Sequence, residues 1–239
     1  VGVHVGFLGP LPTPGIAYLT RGLRACAGIV LSASHNPYDD NGIKIFGSNG
    51  YKLPDEEEYI IERMVLEKDL SRMLPVGEGI GRARRIDDAI GQYSVFLKEQ
   101  FPKTLTLDRL RIVIDSANGA GYKVAPKVLE ELGAEVFAIG VNPDGTNINS
   151  GCGALHPQRV RESVLLYKAD VGIAIDGDAD RVILVDHCGE VVDGDQMLAI
   201  CGGQMLRAGN LNKNTIVSTI MSNMGLDIAV TKSKQPQSQ

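Results

Sequence analysis

A chain of 239 residues with 44% hydrophobic and 22% charged side chains can fill one large core or two ordinary ones. Its net charge of -5 and isoelectric point near 5.4 weigh against a nucleic-acid partner, because phosphate backbones select basic surfaces. No apolar run approaches the roughly 20 residues that span a bilayer, and no charged-then-apolar signal segment opens the chain, so no membrane partner is expected.

The predicted elements begin with weak alternation over residues 3–7, followed by Gly9-Pro10-Leu11-Pro12-Thr13-Pro14, whose prolines argue against helix or central strand. Residues 16–23 have helical spacing, 28–31 read as a buried strand and 43–46 as a second. Pro54 followed by Asp55-Glu56-Glu57-Glu58 starts a helix, with carboxylates where the helix dipole is positive. Over 72–85 the composition shifts to Gly, Pro and Arg and reads as a linker. Ile90, Tyr93, Leu97 and Phe101 then recur at helical spacing.

Beyond them, strands over 110–114, 135–139, 170–175 and 182–185 accompany helices over 124–132 and 157–167, the first of these stopped by Gly133. This alternation predicts an α/β fold with mixed, largely parallel sheets flanked by helices. A helix over 196–206, a strand over 215–219 and an apolar stretch over 226–230 follow. A polar tail closes the chain and cannot bury anything.

Cys26, Cys152, Cys188 and Cys201 form no C-x-x-C pair and read as reduced thiols, which places the protein in the cytoplasm. The first residue is Val1, inside an element, so a longer parent is expected.

Two stretches carry chemistry. Asp176-Gly177-Asp178-Ala179-Asp180-Arg181 follows a buried strand, and three carboxylates at alternate positions can converge on one side of an extended turn. Such close like charges ask for a cation, and carboxylate oxygens suit Mg²⁺ or Ca²⁺. An EF-hand needs Gly at the sixth position and Glu at the twelfth, where Arg181 and His187 stand. Mg²⁺, which leaves sites for water or phosphate oxygens, is the reading that survives. The other stretch, Leu31 to Lys44 (LSASHNPYDDNGIK), sets Ser34 beside His35 between two strands.

Together, Ser32-Ala33-Ser34-His35-Asn36-Pro37 with Asn41-Gly42-Ile43-Lys44, followed by Asp176-Gly177-Asp178-Ala179-Asp180-Arg181, resemble the α-D-phosphohexomutases. Pro12-Thr13-Pro14, Ala117-Asn118-Gly119-Ala120, Asn147-Ile148-Asn149 with Cys152-Gly153, Val192-Asp193-Gly194-Asp195 and Met221-Ser222-Asn223-Met224-Gly225-Leu226 extend the likeness over nearly the whole chain. Family members arrange four domains around a cleft. The resemblance implies the later part of domain one over residues 1–87, domain two over 88–190 and the start of domain three over 191–239, with a polar tail over 232–239. The chain is therefore expected to be truncated at both ends, without the sugar-recognition loop and the phosphate-clamping fourth domain.

The resemblance also implies roles. Ser34 carries a phosphoryl group, and its choice over Ser32 rests on the family pattern. Mg²⁺ is held by Asp176, Asp178, Asp180 and the phosphate on Ser34. Lys44 and Arg181 add positive charge, and His35 either moves a proton or orients the phosphate. Asn36 and Thr13 line the phosphate and substrate side. The implied reaction interconverts glucosamine 6-phosphate and glucosamine 1-phosphate through a 1,6-bisphosphate, with hexose 1,6-bisphosphate as activator. Two alternatives stand beside it, a glucose or mannose phosphate substrate and a non-catalytic remnant that binds metal, with or without phosphate, and turns nothing over.

Overall fold

The computed structural model describes residues 2–68 and 74–233, with backbone alone at 232 and 233. The first strand, β1 (Val5–Phe7), is followed by helix α1 (Thr13–Gly22), which starts inside the proline-rich stretch rather than after it. Pro12 stands just before the helix and Pro14 in its first turn, where a missing N–H breaks no intrahelical bond. The helix buries Ile16 and Leu19 against β2 (Ala27–Ser32) and β3 (Gly42–Gly47), which pair antiparallel along their full length. Val30 of β2 points into this core, while Ile29 and Leu31 face outward.

Helix α2 (Asp55–Glu67) begins after Pro54 as expected, with four carboxylates in its first turn, and buries none of its side chains. The expected linker holds a strand: β4 (Ala83–Arg85) pairs in parallel with β1. All three of its residues are exposed, so it has no apolar face to mark it in sequence. Residues 72 and 73 of that stretch lie outside the described residues, as do 234–239 of the tail.

Helix α3 (Ala89–Glu99) returns to the first core through Ala89 and Tyr93, and Phe101 lies past its end. Phe96 stacks on Tyr18 of α1 with ring centroids 4.1 Å apart. Val124, which opens α4 (Val124–Glu131), belongs to the same core. The first core thus reaches across from the serine-bearing strands to the next unit.

That unit is a five-stranded sheet. Its strands are β5 (Arg111–Asp115), β6 (Glu135–Ile139), β7 (Val171–Ile175), β8 (Val182–Asp186) and β9 (Val191–Val192), in the order β6-β5-β7-β8-β9. Strand β5 runs parallel to β6 and β7, whereas β7–β8 and β8–β9 are antiparallel. The turn from β7 to β8 is too short for the dozen or more residues of a parallel crossover. The parallel character therefore stops at β7, and the sheet is mixed as expected, with its parallel part confined to β6, β5 and β7.

Helix α5 (Gln158–Tyr167) covers this sheet through Val160 and Val164, which pack with Val113, Ala174 and Val185. Strand β9 carries the sheet two residues past the boundary expected at 190.

Helix α6 (Gly194–Arg207) starts with a capping box, in which the Asp193 carboxylate accepts the Gln196 backbone N–H and the Gln196 side-chain Oε1 accepts that of Asp193. It packs against α7 (Met224–Ser233), which contains the apolar stretch over 226–230. Residues 215–219 are irregular rather than the expected strand: no strand pairs with them among the described residues, and Val217 is 85% exposed. Among the described residues, no helix is long and apolar enough to cross a membrane.

Candidate active site

Strand β5 leads to β6 on one side and β7 leads to β8 on the other, so their C-terminal ends border the crevice where open α/β sheets bind ligands. Asp115 ends β5, fully buried, and its carboxylate accepts N–H bonds from Ala117 and Gly153 at 3.0 Å each. The turn it holds carries Ala117 and Asn118 at φ of 53° and 49°. It brings Gly119 against Gly177, where the Ala120 N–H donates to the Gly177 carbonyl at 2.8 Å.

Asp176 follows β7 and is buried. Its Oδ1 accepts the N–H groups of Asp180 and Arg181, both at 3.2 Å. Its Oδ2 has no hydrogen-bond partner, and the Arg181 Nε stands 3.9 Å away. Burial, and then the charge of Asp180, push the Asp176 carboxyl above the ordinary carboxylate range.

Asp178, also buried, receives the Ser32 hydroxyl on Oδ1 and the Lys44 ammonium on Oδ2. Lys44 Nζ lies 3.6 Å from Asp180 as well. Burial alone would lower the Lys44 pKa, but Asp178 and Asp180 outweigh it and hold the pKa above the usual lysine value. The ammonium on Asp178 thus supplies positive charge within the carboxylate loop.

The convergence expected of the three carboxylates is therefore incomplete. Among the described residues, the trio of potential ligands with donor atoms within 4.8 Å of one another is Asp186, at the end of β8, with the exposed His187 and Cys188. Asp176, Asp178 and Asp180 nonetheless suit a further cation. Their oxygens are hard donors, and the orphaned Asp176 Oδ2 is a buried acceptor with no proton to receive.

Across the crevice lies the serine loop. Ser34 adopts a left-handed φ of 57°, a strained setting for a residue other than Gly or Asn. Its N–H donates to Ser32 Oγ at 2.8 Å, and Ser32 in turn donates to Asp178. The Ser32 hydroxyl is thereby committed, whereas that of Ser34 has no hydrogen bond among the described residues.

The Thr13 N–H donates to the Asp178 carbonyl at 3.0 Å. Thr13 Oγ1 and His35 Nδ1 are buried without a hydrogen-bond partner among the described residues, as is Ser116 Oγ. Such atoms are rare in folded interiors, and three of the four found here belong to predicted site residues. The structure therefore brings Thr13, Ser34, Lys44, Asp176, Asp178 and Asp180 into one contact network. Arg181 stays at the rim with its side chain 52% exposed, and Asn36 is exposed, joined through its carbonyl alone.

Sequence reasoning assigned no site role to Ser32, Asn149 or Gly177. Ser32 was visible as a polar residue at a strand end, and Asn149 as an asparagine in an N-x-N loop, a residue that tolerates positive φ. Gly177 is required by contact. A Cβ there would stand 2.6 Å from the Ser34 carbonyl oxygen, 2.7 Å from Ile148 Cδ1 and 3.0 Å from Asn149 Nδ2. Gly177→Ala is accordingly expected to destabilise the fold by about 1–3 kcal/mol, the range for overpacking. A lowered Tm with the serine loop displaced, seen by amide exchange over 33–37, checks this.

The sequence matches the domains of one family in order. They are phosphoglucomutase/phosphomannomutase alpha/beta/alpha domain I over residues 1–72, domain II over 91–189 and domain III over 193–237. Phosphoglucosamine mutase of Geotalea uraniireducens (strain Rf4) is 59% identical over 232 residues, covering 97% of this chain and 51% of that protein. The Bdellovibrio bacteriovorus phosphoglucosamine mutase is 60% identical over 227 residues, covering 95% and 50%. The chain thus spans about half the length of the relatives it matches. A phosphoglucomutase/phosphomannomutase family protein from Burkholderia thailandensis superposes with a TM-score of 0.69 at 26% identity, over 87% of this chain and 45% of that one. With three consecutive family domains matched and relatives this similar along nearly all its length, the chain belongs to the phosphoglucomutase/phosphomannomutase family, the α-D-phosphohexomutases.

Proposed function

We propose that this chain carries the phosphoryl-transfer centre of a phosphoglucosamine mutase, with Ser34 as the residue that holds the phosphate. The observation that carries the reading is the Ser32–Asp178 contact, which joins residues 146 apart in sequence and leaves the neighbouring Ser34 hydroxyl uncommitted. The names of the relatives support the amino-sugar substrate over glucose or mannose phosphate.

Phosphoryl transfer depends on positioning and charge more than on covalent help from the protein. From a phosphorylated Ser34, the bond between Oγ and phosphorus breaks as a new bond forms to the free hydroxyl of the sugar phosphate. That hydroxyl gives up its proton, and Ser34 Oγ regains one. The resulting 1,6-bisphosphate turns over, and its other phosphate returns to Ser34.

Lys44, held by Asp178 beside Ser34, is placed to offset charge on the transferring group. His35 adjoins Ser34, and its unpartnered Nδ1 is available to carry or accept a proton. Thr13 offers a buried, unpartnered hydroxyl on the side of Asp178. Arg181 and Asn36 serve from the rim. Asp176, Asp178 and Asp180 would hold Mg²⁺, which supplies Lewis-acid neutralisation of phosphate charge when bound. A cytoplasmic setting completes the reading, since all four cysteines are unpaired.

The test is phosphopeptide mapping of the purified chain after incubation with glucose 1,6-bisphosphate, with and without Mg²⁺. Phosphate on Ser34 that requires Mg²⁺ is expected, and phosphate on another residue would overturn the assignment. A coupled assay with glucosamine, glucose and mannose phosphates then separates the sugars. The half-reaction needs the two loops described above, while full turnover also needs groups that hold the far end of the sugar.

A further inference from the structure

We propose that Asn149 is a positioning residue whose side-chain amide fixes the spacing between the serine loop and the carboxylate loop. Its effect on phosphate transfer rests on the function proposed above; the clamp itself does not. Asn149 lies between β6 and α5, is 8% exposed and adopts φ 57°.

Its Nδ2 donates to the carbonyls of Ser34 at 3.0 Å and Asn36 at 2.9 Å. Its Oδ1 accepts the Gly177 N–H at 2.9 Å, and its own N–H donates to the Ala117 carbonyl at 2.9 Å. Two carbonyls on one side and an N–H on the other leave a single orientation for the amide. One planar group therefore grips the serine loop at the Ser34 and Asn36 carbonyls and the loop of Asp176 and Asp178 at the Gly177 N–H, while the backbone N–H of the same residue holds the turn after β5.

Aspartate, an apolar residue and glutamine each fail to reproduce this set of bonds. Aspartate would set lone pairs against two carbonyl oxygens, and an apolar residue would leave the Ser34 carbonyl and Gly177 N–H unpaired in a tight contact. Glutamine is one methylene too long for a gap in which a Cβ on Gly177 already collides with the Ser34 carbonyl and Asn149 Nδ2. The left-handed backbone also suits asparagine, whose short polar side chain tolerates it. Because the clamp holds the Ser34 peptide itself, its loss displaces the phosphate carrier relative to Asp178 and Lys44. A misplacement of 1 Å slows such chemistry about 100-fold.

Asn149→Gly removes the amide without straining φ, and Asn149→Asp keeps its shape while removing the donors. In both variants, peptides over 32–38 and 176–181 are expected to exchange amide hydrogens at least about tenfold faster, with β5 unchanged as internal control. The rate of Ser34 phosphorylation by glucose 1,6-bisphosphate, per folded molecule, is expected to fall about 100-fold. In the unsubstituted chain the Asn149 side-chain amide protons are expected to exchange slowly by NMR, a readout that needs no variant to fold.

A lowered Tm with unchanged loop exchange and unchanged transfer rate would overturn the proposal. So would fast exchange of the native amide, or loosening of one loop without the other. If both loops loosen but even the unsubstituted chain accepts no phosphate, the clamp stands and the proposed function fails.

Discussion

Replacing Ser34 by alanine is expected to abolish labelling of the chain by glucose 1,6-bisphosphate, while replacing Ser32 slows labelling and leaves it on Ser34. The two serines are alike in sequence and differ in their partners. Ser32 spends its proton on Asp178 and its lone pair on the Ser34 N–H, whereas the hydroxyl of Ser34, on a left-handed residue, has no hydrogen bond among the described residues. Ser32→Ala removes a hydrogen bond to a carboxylate, a contact of about 1.5–3 kcal/mol. Taken wholly from the transition state, that is roughly 10- to 100-fold in rate. Mass mapping of the phosphate in both variants decides the matter, and a label that moves to Ser32 in the Ser34→Ala chain would show that either hydroxyl can serve.

Asp176→Asn is expected to raise the stability of the metal-free chain and to remove its response to Mg²⁺. The native carboxyl is buried, faces Asp180 and, among the described residues, leaves Oδ2 without a hydrogen bond and with the Arg181 Nε no nearer than 3.9 Å, so its charged form is held at a disadvantage. A pKa raised in the folded state means that stability present below the unfolded carboxylate value is lost as pH rises through the folded value. The metal-free chain should therefore weaken with rising pH across that window, and the asparagine variant should not. The amide oxygen can still accept the Asp180 and Arg181 N–H groups, so the turn survives. At 100 times its dissociation constant, Mg²⁺ should stabilise the native chain by about 2.7 kcal/mol. Thermal melts at several pH values, with and without the metal, read both effects, and an equal metal response in the variant would remove Asp176 from the ligand set.

The parts of this molecule legible from sequence are those where burial imposes a period. Strand β6 appears at the predicted residues, where Val136, Phe137 and Ile139 put partly buried apolar side chains on both faces. Helices α2, α4 and α5 begin at Asp55, Val124 and Gln158, within a residue of expectation. Strand β4 was lost in the expected linker because Ala83, Arg84 and Arg85 bury nothing and are held by backbone pairing with β1. The start of α1 was missed because prolines read as breakers when they stand in a first turn.

At the site, residue types that carry charge or a hydroxyl could be nominated from their spacing and the family pattern. Ser32, Asn149 and Gly177 could not, since their importance lies in a fit between segments that only folding brings together. Nor could the sequence disclose that the Lys44 ammonium would lie on Asp178 beside Asp180.

That the Ser32–Asp178 contact spans so much chain has a temporal consequence. Each strand and helix around the site can form from contacts nearer in sequence, but the centre exists only after the serine hairpin has docked on the five-stranded sheet. Closing so long a loop carries an entropy penalty that grows slowly with length and must be met before the contacts across it give anything back. The proposed competence to accept phosphate is thus expected among the last properties a newly made chain acquires, and among the first that unfolding removes.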